Sequence, residues 1–162
     1  MNSFNSIRAA AAVLSALHLL ALGVGLPAVF LRGRALRGTL DAAGIRRVLT
    51  ADNLWGVAAL VWILTGLLRA FGGFEKGSEY YLHNWLFHLK LGLVILVLLL
   101  ELMPMLTFMR WRIALAKDEV PDLSSARLLY TLNHIEMALV GVIVFVAAFM
   151  ARGFGLIHYL IR

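Results

Sequence analysis

The chain has 162 residues, of which 62% are hydrophobic and 15% charged, with a net charge of +6 and no cysteine. Soluble domains are typically about half apolar, so this composition indicates a membrane protein. The lack of cysteine excludes disulfides, thiolate metal sites and thiol catalysis. Because the basic residues cluster at the ends of apolar runs, where topology signals lie, no nucleic-acid partner is predicted.

Four apolar runs predict four transmembrane helices, at about residues 9–31, 53–71, 86–108 and 128–151. About 20 apolar residues cross a bilayer as a helix, and an open sheet edge does not persist in lipid. The first run has 23 residues, more than a signal peptide needs, and is predicted to be retained. The predicted fold class is all-α: residues 1–162 form one integral membrane four-helix bundle in a lipid bilayer.

The basic residues favour one orientation in the membrane. Nine of the fifteen lie in the two segments that follow the first and third spans. The positive-inside rule then places both segments in the cytoplasm and both termini outside it. The sequence therefore predicts a multi-pass protein of the inner (plasma) membrane.

A faint internal similarity relates the two halves of the chain. Residues 30–34 resemble residues 108–112, which lie 78 positions further on, and residues 69–72 resemble residues 152–155. This pattern is typical of two repeated helical hairpins with the same orientation. It is also typical of unrelated helix ends that attract Arg, aromatic residues and Gly, and both interpretations stay open.

Ionisable residues lie within the predicted spans: His18, His88, Lys90, Glu101, His134 and Glu136. A charge inside a span is costly, so it usually faces a protein interior, a cofactor or an ion path. His18 lies near the middle of span one. It is predicted either to ligate haem iron through a neutral imidazole nitrogen or to hydrogen-bond across the bundle.

His88 and Lys90 lie two residues apart in the outer part of span three, so they point to nearly opposite sides of a helix. Lys90 can extend its amine to the outer interface. Alternatively, it provides a cation for an acidic group such as a porphyrin propionate.

Glu101 and Glu136 lie at similar depths in spans three and four. Glu101 shares a face with Lys90 but lies roughly 16 Å along the helix from it, which predicts a polar stripe and not a salt bridge. Two neighbouring carboxylates tend to share a proton, and this pair predicts a proton relay or a cation path. The alternative is two protonated acids that are hydrogen-bonded to polar side chains of the bundle: Asn53, Asn133 or Thr65.

A sparse thioether cluster, Met103, Met105 and Met109, ends span three. Thioethers favour Cu(I), but methionine is also an ordinary filler of apolar helices. Copper binding here stays open.

Three stretches, Ala51–Gly56, Leu68–Gly77 and Tyr80–Lys90, resemble one uncharacterised bacterial family of membrane proteins, domain of unknown function 2214. The resemblance covers essentially the whole chain. It implies a membrane location and no established activity.

A second resemblance is to the HemJ-type protoporphyrinogen oxidases and, more distantly, to the CopD copper-resistance proteins. The similar positions stand in spans one and three: His18, Gly23, Gly25, Leu26-Pro27, Phe30 and His88-Leu89-Lys90. This resemblance implies that His18 ligates haem and that Lys90 contacts haem or porphyrin. Glu101 stands where a further histidine is expected, and the Trp and closing Pro patterns of the family are not evident. These departures favour a haem-binding scaffold over an oxidase.

The leading prediction is a b-type haem or porphyrin-binding protein, with a redox role left open. His18 is the predicted axial ligand to the haem metal, with His88 as a candidate second ligand. Lys90 and Arg69 are predicted to neutralise the propionates. If the protein is an enzyme, the resemblance implies a HemJ-like porphyrinogen oxidoreductase.

Two other classes of function stay open. In a small transporter or ion conduit, Glu101 and Glu136 carry the cation or proton. In an accessory membrane subunit, the chain has no chemistry of its own. The sequence does not decide whether the chain forms a homo-oligomer.

Overall fold

The computed structural model describes residues 2–156, with side chains described from residue 5 onward. Its helices are α1 (Asn2–Arg37), α2 (Ala42–Phe71), α3 (Ser78–Leu82), α4 (Trp85–Ala116) and α5 (Ala126–Ala151). The four long helices are apolar enough to cross a membrane, and the part of the chain that is described contains no strand. The predicted all-α membrane bundle is confirmed. The short helix α3, between the second and third spans, was not predicted.

The long helices extend beyond the apolar runs, chiefly at their basic ends. α1 continues six residues past the predicted end at residue 31, and α2 begins at Ala42 and not near Asn53. Charged residues such as Arg form helix readily, so helical backbone continues where the hydropathy falls. Asp41 caps α2, because its Oδ1 accepts a hydrogen bond of 2.7 Å from the backbone N–H of Gly44. As a result, Arg32 and Asp52 lie within helices and not in a loop.

The helices pack as two neighbouring pairs. α1 lies along α2, α4 lies along α5, and α1 also packs against α5, whereas α2 and α4 make few contacts. Gly25 allows the close approach of α1 to α2, since a Cβ there would lie 3.1 Å from Cζ3 of Trp55. This arrangement is compatible with two repeated hairpins, and the repeat itself stays a prediction.

The two ends of the bundle differ in their connections. At one end, the segment between α2 and α4 meets the end of α5, where Tyr80 donates to the carbonyl of Met150 at 2.7 Å and Asn84 to that of Phe154 at 2.9 Å. The α1–α2 turn and the segment 117–125 lie at the opposite end. We call the end with the α2–α4 segment the α3 end, and the end with the α1–α2 turn the arginine end.

The centre of the bundle is apolar. Its buried residues come from all four long helices: Ala21, Ala28, Val29, Trp55, Trp62, Val97, Val140 and Ile143. The polar side chains of the interior lie in two groups, one on each side of this apolar layer.

Candidate functional site

His18 is fixed against α2 at the α3 end of the bundle. Its ring stacks on Trp62 with a centroid separation of 5.6 Å. Its Nδ1 lies 2.9 Å from Oγ1 of Thr65. The imidazole is thus held by stacking on one face and by a hydrogen bond at one nitrogen.

Thr65 determines which nitrogen of His18 carries the proton. The threonine hydroxyl lies 2.7 Å from the carbonyl oxygen of Val61 and 3.1 Å from that of Trp62, one turn earlier in α2. A hydroxyl has one hydrogen, and here a backbone carbonyl accepts it. Oγ1 then accepts the Nδ1–H of His18, which leaves Nε2 with a lone pair. None of the described residues forms a hydrogen bond with Nε2.

The histidine lines a cavity of about 330 Å³ that is enclosed by α1, α2, α4, α5 and the α3 segment. We call it the α3-end cavity. A cleft of about 170 Å³ between α2 and α4 adjoins it and shares His18, Trp62, Gly66 and Lys90 with it. The cleft lies where α2 and α4 make few contacts, so it opens to the outer surface of the bundle.

Gly66 sets the space beside the histidine. A Cβ at this position would lie 3.2 Å from Cε1 of His18, which is closer than ordinary van der Waals contact. No such contact exists at Gly56, on the same helix, where a Cβ would meet nothing within 4 Å. The absence of a side chain at Gly66 therefore leaves the edge of the imidazole open.

The charges that line the α3-end cavity are mostly positive. Arg69, Lys76 and Lys90 face a single carboxylate, Glu75. Arg69 pairs with Glu75 at 2.6 Å, while Lys90 has no ion-pair partner among the residues described. The cavity thus favours an anionic ligand.

Glu75 is held in its charged form at the rim. Partial burial raises the pKa of Glu75, but the hydrogen bonds from Arg69 and Tyr81 outweigh burial, and its pKa lies below the usual value. The Tyr81 hydroxyl donates to Oε2 of Glu75 at 2.9 Å. Burial and this hydrogen bond raise the pKa of Tyr81, so its hydroxyl stays protonated.

The structure brings together three of the four predicted cofactor-binding residues. His18, Lys90 and Arg69 line the α3-end cavity. His88 lies apart from it, with an exposed side chain whose Nε2 is 2.9 Å from the carbonyl oxygen of Leu82. His134 is also exposed and bonds to the carbonyl of Tyr130 in the preceding turn.

A second group of polar and charged side chains surrounds Arg32, which is completely buried. Its Nη1 lies 3.0 Å from Asp52 and 2.5 Å from Glu101, and its Nη2 lies 2.5 Å from Glu136. Its Nε donates to Oδ1 of Asn133 at 2.8 Å. One guanidinium from α1 therefore joins α2, α4 and α5, and we call this group the Arg32 cluster.

Two further side chains complete the Arg32 cluster. Arg112 donates to Asp52 at 2.8 Å, and Nε1 of Trp55 lies 3.3 Å from Oε2 of Glu101. Three carboxylates thus face two guanidiniums. Glu136 is completely buried, and its Oε1 has no hydrogen-bond partner in the part of the chain that is described.

Sequence reasoning missed the role of Arg32, because it counted this residue with the basic segment after span one. The buried face of α1 contains the signal that could have revealed it. Ala21, Ala28, Val29 and Leu36 are buried at helical spacing, and Arg32 continues that same face.

The partners of Glu101 and Glu136 differ in part from those predicted. Lys90 and Glu101 form no ion pair, as expected, but the two glutamates bind a common guanidinium. The alternative prediction, that these acids are hydrogen-bonded to Asn53, Asn133 or Thr65, is wrong. Asn133 binds Arg32, Asn53 binds Arg112 and Thr65 binds His18.

The described residues contain no group of three or more His, Cys, Asp or Glu side chains that could hold a metal ion. Met105 and Met109 are 45% and 48% exposed, on the outer face of α4. Their sulfurs therefore do not line an enclosed site, and copper binding by the methionines stays a prediction.

A family model described as "Predicted membrane protein (DUF2214)" matches residues 10–155. The chain belongs to this family. The match covers α1 from residue 10 onward and the other three long helices completely, and it includes the α3-end cavity and the Arg32 cluster. No curated protein and no solved structure matches the chain.

Proposed function

We propose that this membrane protein binds haem b or a related porphyrin in the α3-end cavity and the adjoining cleft. The observation that carries the proposal is the unbonded Nε2 of His18, in the wall of a cavity with an excess of cations. A single imidazole with a free lone pair is the usual proximal ligand of haem iron.

The contacts that Thr65 and Trp62 make with the imidazole of His18 support a ligand role. Metal-binding histidines usually donate their other ring N–H to a nearby acceptor, which fixes the tautomer and the ring orientation. Thr65 provides that acceptor at 2.9 Å, and Trp62 supports the ring from one side. Such an arrangement holds Nε2 in place before any ligand arrives.

The cations of the cavity suit the acidic groups of a porphyrin. Lys90 lacks an ion-pair partner among the described residues, and Arg69 shares its charge with Glu75 at the rim. We assign Lys90 as the main partner of a propionate and Arg69 as a second one, since cations bind carboxylates most strongly where water is scarce.

The cleft between α2 and α4 suits the apolar part of the macrocycle. Apart from His18 and Lys90, its lining is mainly aliphatic and aromatic, including Ile63, Leu67 and Leu91. The two spaces, of about 330 and 170 Å³, fall together within the range of small-molecule sites, about 300–1,000 Å³. A flat apolar ligand can enter from the bilayer through the cleft. Bound haem would supply a redox-active iron.

The test is the absorption spectrum of the protein purified in mild detergent, oxidised and reduced, before and after haem addition. We expect a Soret band and reduced b-type peaks in the wild type. His18→Ala removes them, and His134→Ala, which changes an exposed histidine outside the cavity, does not. A featureless wild-type spectrum after haem addition would overturn the proposal.

The Arg32 cluster favours a second candidate function, that of a proton site. Its three carboxylates exceed its two guanidiniums by one negative charge, and one oxygen of Glu136 is buried without a partner among the residues described. An unpaired charge is costly in such a place. A proton held on Glu136 would neutralise the excess, and its release would couple to movement of Arg32.

Infrared spectroscopy tests this second candidate. We expect a carboxylic-acid C=O band at neutral pH in the wild type, lost in Glu136→Gln but kept in Glu79→Gln, which changes an exposed carboxylate. Proton flux into proteoliposomes should also fall in Glu136→Gln. If the wild type lacks the acid band, the candidate fails, whatever the outcome for haem.

A further inference from the structure

A groove with an apolar floor and a basic rim lies along α1 and α2 at the arginine end. Its volume is about 640 Å³. Ala28, Leu31 and Leu54 contribute to the floor, and Arg34, Arg46 and Arg47 line the basic part. This groove is separate from the α3-end cavity and shares no residue with it.

The three arginines of the groove carry charge that no described carboxylate neutralises. Arg34, Arg46 and Arg47 are exposed, and none forms an ion pair with a described carboxylate. Arg32 and Arg112, at the same end, are paired with acids. The groove therefore offers three free guanidiniums, which bind phosphate oxygens well because of their planar, forked donors.

The apolar floor of the groove indicates which kind of anion it can bind. Leu31 and Leu54 are 50% and 47% exposed on a helix pair that crosses the membrane. Arg34 lies six residues beyond Ala28, or about 9 Å along α1, so a molecule in the groove meets charge at one end and hydrocarbon along its length. A soluble anion would use only the charged end.

We propose that this groove binds an acidic phospholipid, with the phosphate between Arg34, Arg46 and Arg47 and one acyl chain along Ala28, Leu31 and Leu54. Basic pockets between transmembrane helices at the cytoplasmic surface are typical sites for anionic headgroups. The site requires the arginine end to face a leaflet that contains acidic lipid. It does not depend on haem binding.

Native mass spectrometry of detergent-solubilised protein tests the site. The probes are phosphatidylglycerol and phosphatidylcholine with identical acyl chains. The test variant is Arg34→Gln/Arg46→Gln/Arg47→Gln. The matched control is Arg110→Gln/Lys117→Gln/Arg127→Gln, which removes the same charge from exposed positions at the same end.

The wild type and the control variant should retain phosphatidylglycerol in preference to phosphatidylcholine. The test variant should bind phosphatidylglycerol at least about tenfold more weakly, since each arginine near an anionic surface contributes severalfold. Circular dichroism checks that both variants keep their helix content.

Three results would overturn the proposal. They are undiminished phosphatidylglycerol binding by the test variant, an equal loss in both variants, and equal retention of the two lipids by the wild type. Displacement of the lipid by millimolar inorganic phosphate would assign the arginines to a soluble anion instead.

Discussion

Arg32 pairs with the carboxylates in the interior of the bundle at the arginine end. Its guanidinium contacts carboxylates from three other helices. Removal of one member of a buried ion pair is far more costly than removal of both, since the remaining charge has no partner.

Replacement of Arg32 by Met should therefore strongly destabilise the bundle. We expect Arg32→Met to lower the free energy of unfolding by about 3–5 kcal/mol, as measured by denaturant titration in micelles. Addition of Glu101→Gln and Glu136→Gln should restore part of the loss. Arg110→Met, at an exposed position, provides the control. Equal stability of the Arg32 and Arg110 variants would contradict a central role for Arg32.

Lys90 is expected to recognise the acidic groups of the ligand. Lys90→Gln should weaken the binding of haem severalfold, because a propionate loses its cation. Binding of haem dimethyl ester, which lacks the free carboxylates, should be the same in both proteins. Absorption titrations with the two ligands measure the difference. An equal effect on both ligands would assign Lys90 to packing and not to charge recognition.

These residues show what sequence reasoning can identify at this scale. His18 and Lys90 stand out because each interrupts an apolar run. Arg32 does not, because an arginine at the end of a run is usually a topology signal. Its inward orientation depends on acids that lie 20, 69 and 104 residues away, and a local pattern does not contain that information.

At the scale of helices, close contact between α1 and α5 depends on Gly33. A Cβ there would lie 2.5 Å from Nδ2 of Asn133. Asn133 cannot easily move, because its Nδ2 donates to the carbonyl of Val29 at 3.0 Å and its Oδ1 accepts from Arg32.

Gly33→Ala should therefore separate α1 from α5 and weaken the Arg32 cluster, despite the better helix propensity of alanine. We expect a lower melting temperature in micelles. Gly23→Ala, on the same helix, is the matched control, since a Cβ there meets nothing within 4 Å. It should leave stability unchanged or slightly higher. A Gly33 variant as stable as the Gly23 variant would show that the contact is dispensable.

The positions of the spans were predictable, but the ends of the helices were not. Hydropathy located all four long helices, because lipid requires about 20 apolar residues in each. It ended α1 at residue 31 and began α2 at residue 53, since charge marks the edge of lipid but not the end of a helix. Three members of the Arg32 cluster, Arg32, Asp52 and Arg112, lie in the helical parts that the predicted spans left out.

At the scale of the whole molecule, two polar sites lie on opposite sides of an apolar layer. His18 and Arg32 are 14 residues apart on α1, a rise of about 21 Å. The residues between them on the buried face are apolar, and Val97, Val140 and Ile143 fill the same layer from α4 and α5. This layer separates the cavity from the Arg32 cluster in the observed conformation.

The orientation of the molecule in the membrane stays a prediction, and the lack of cysteine makes it directly testable. Ser78→Cys lies at the α3 end and Ser124→Cys at the arginine end. If the arginine end faces the cytoplasm, an impermeant maleimide added to intact cells with a permeabilised outer membrane should label only Ser78→Cys. Disruption of the inner membrane should expose both positions. Labelling of Ser124→Cys alone in intact cells would reverse the orientation.

The most direct test of the central claim, that Nε2 of His18 binds a haem iron in the α3-end cavity, is the absorption spectrum of His18→Gly with haem, before and after addition of imidazole. We predict that the variant lacks the wild-type Soret and reduced b-type bands and that free imidazole restores them, because it can occupy the space of the missing ring. If His18→Gly with haem already gives the wild-type bands before imidazole is added, His18 does not bind the haem iron.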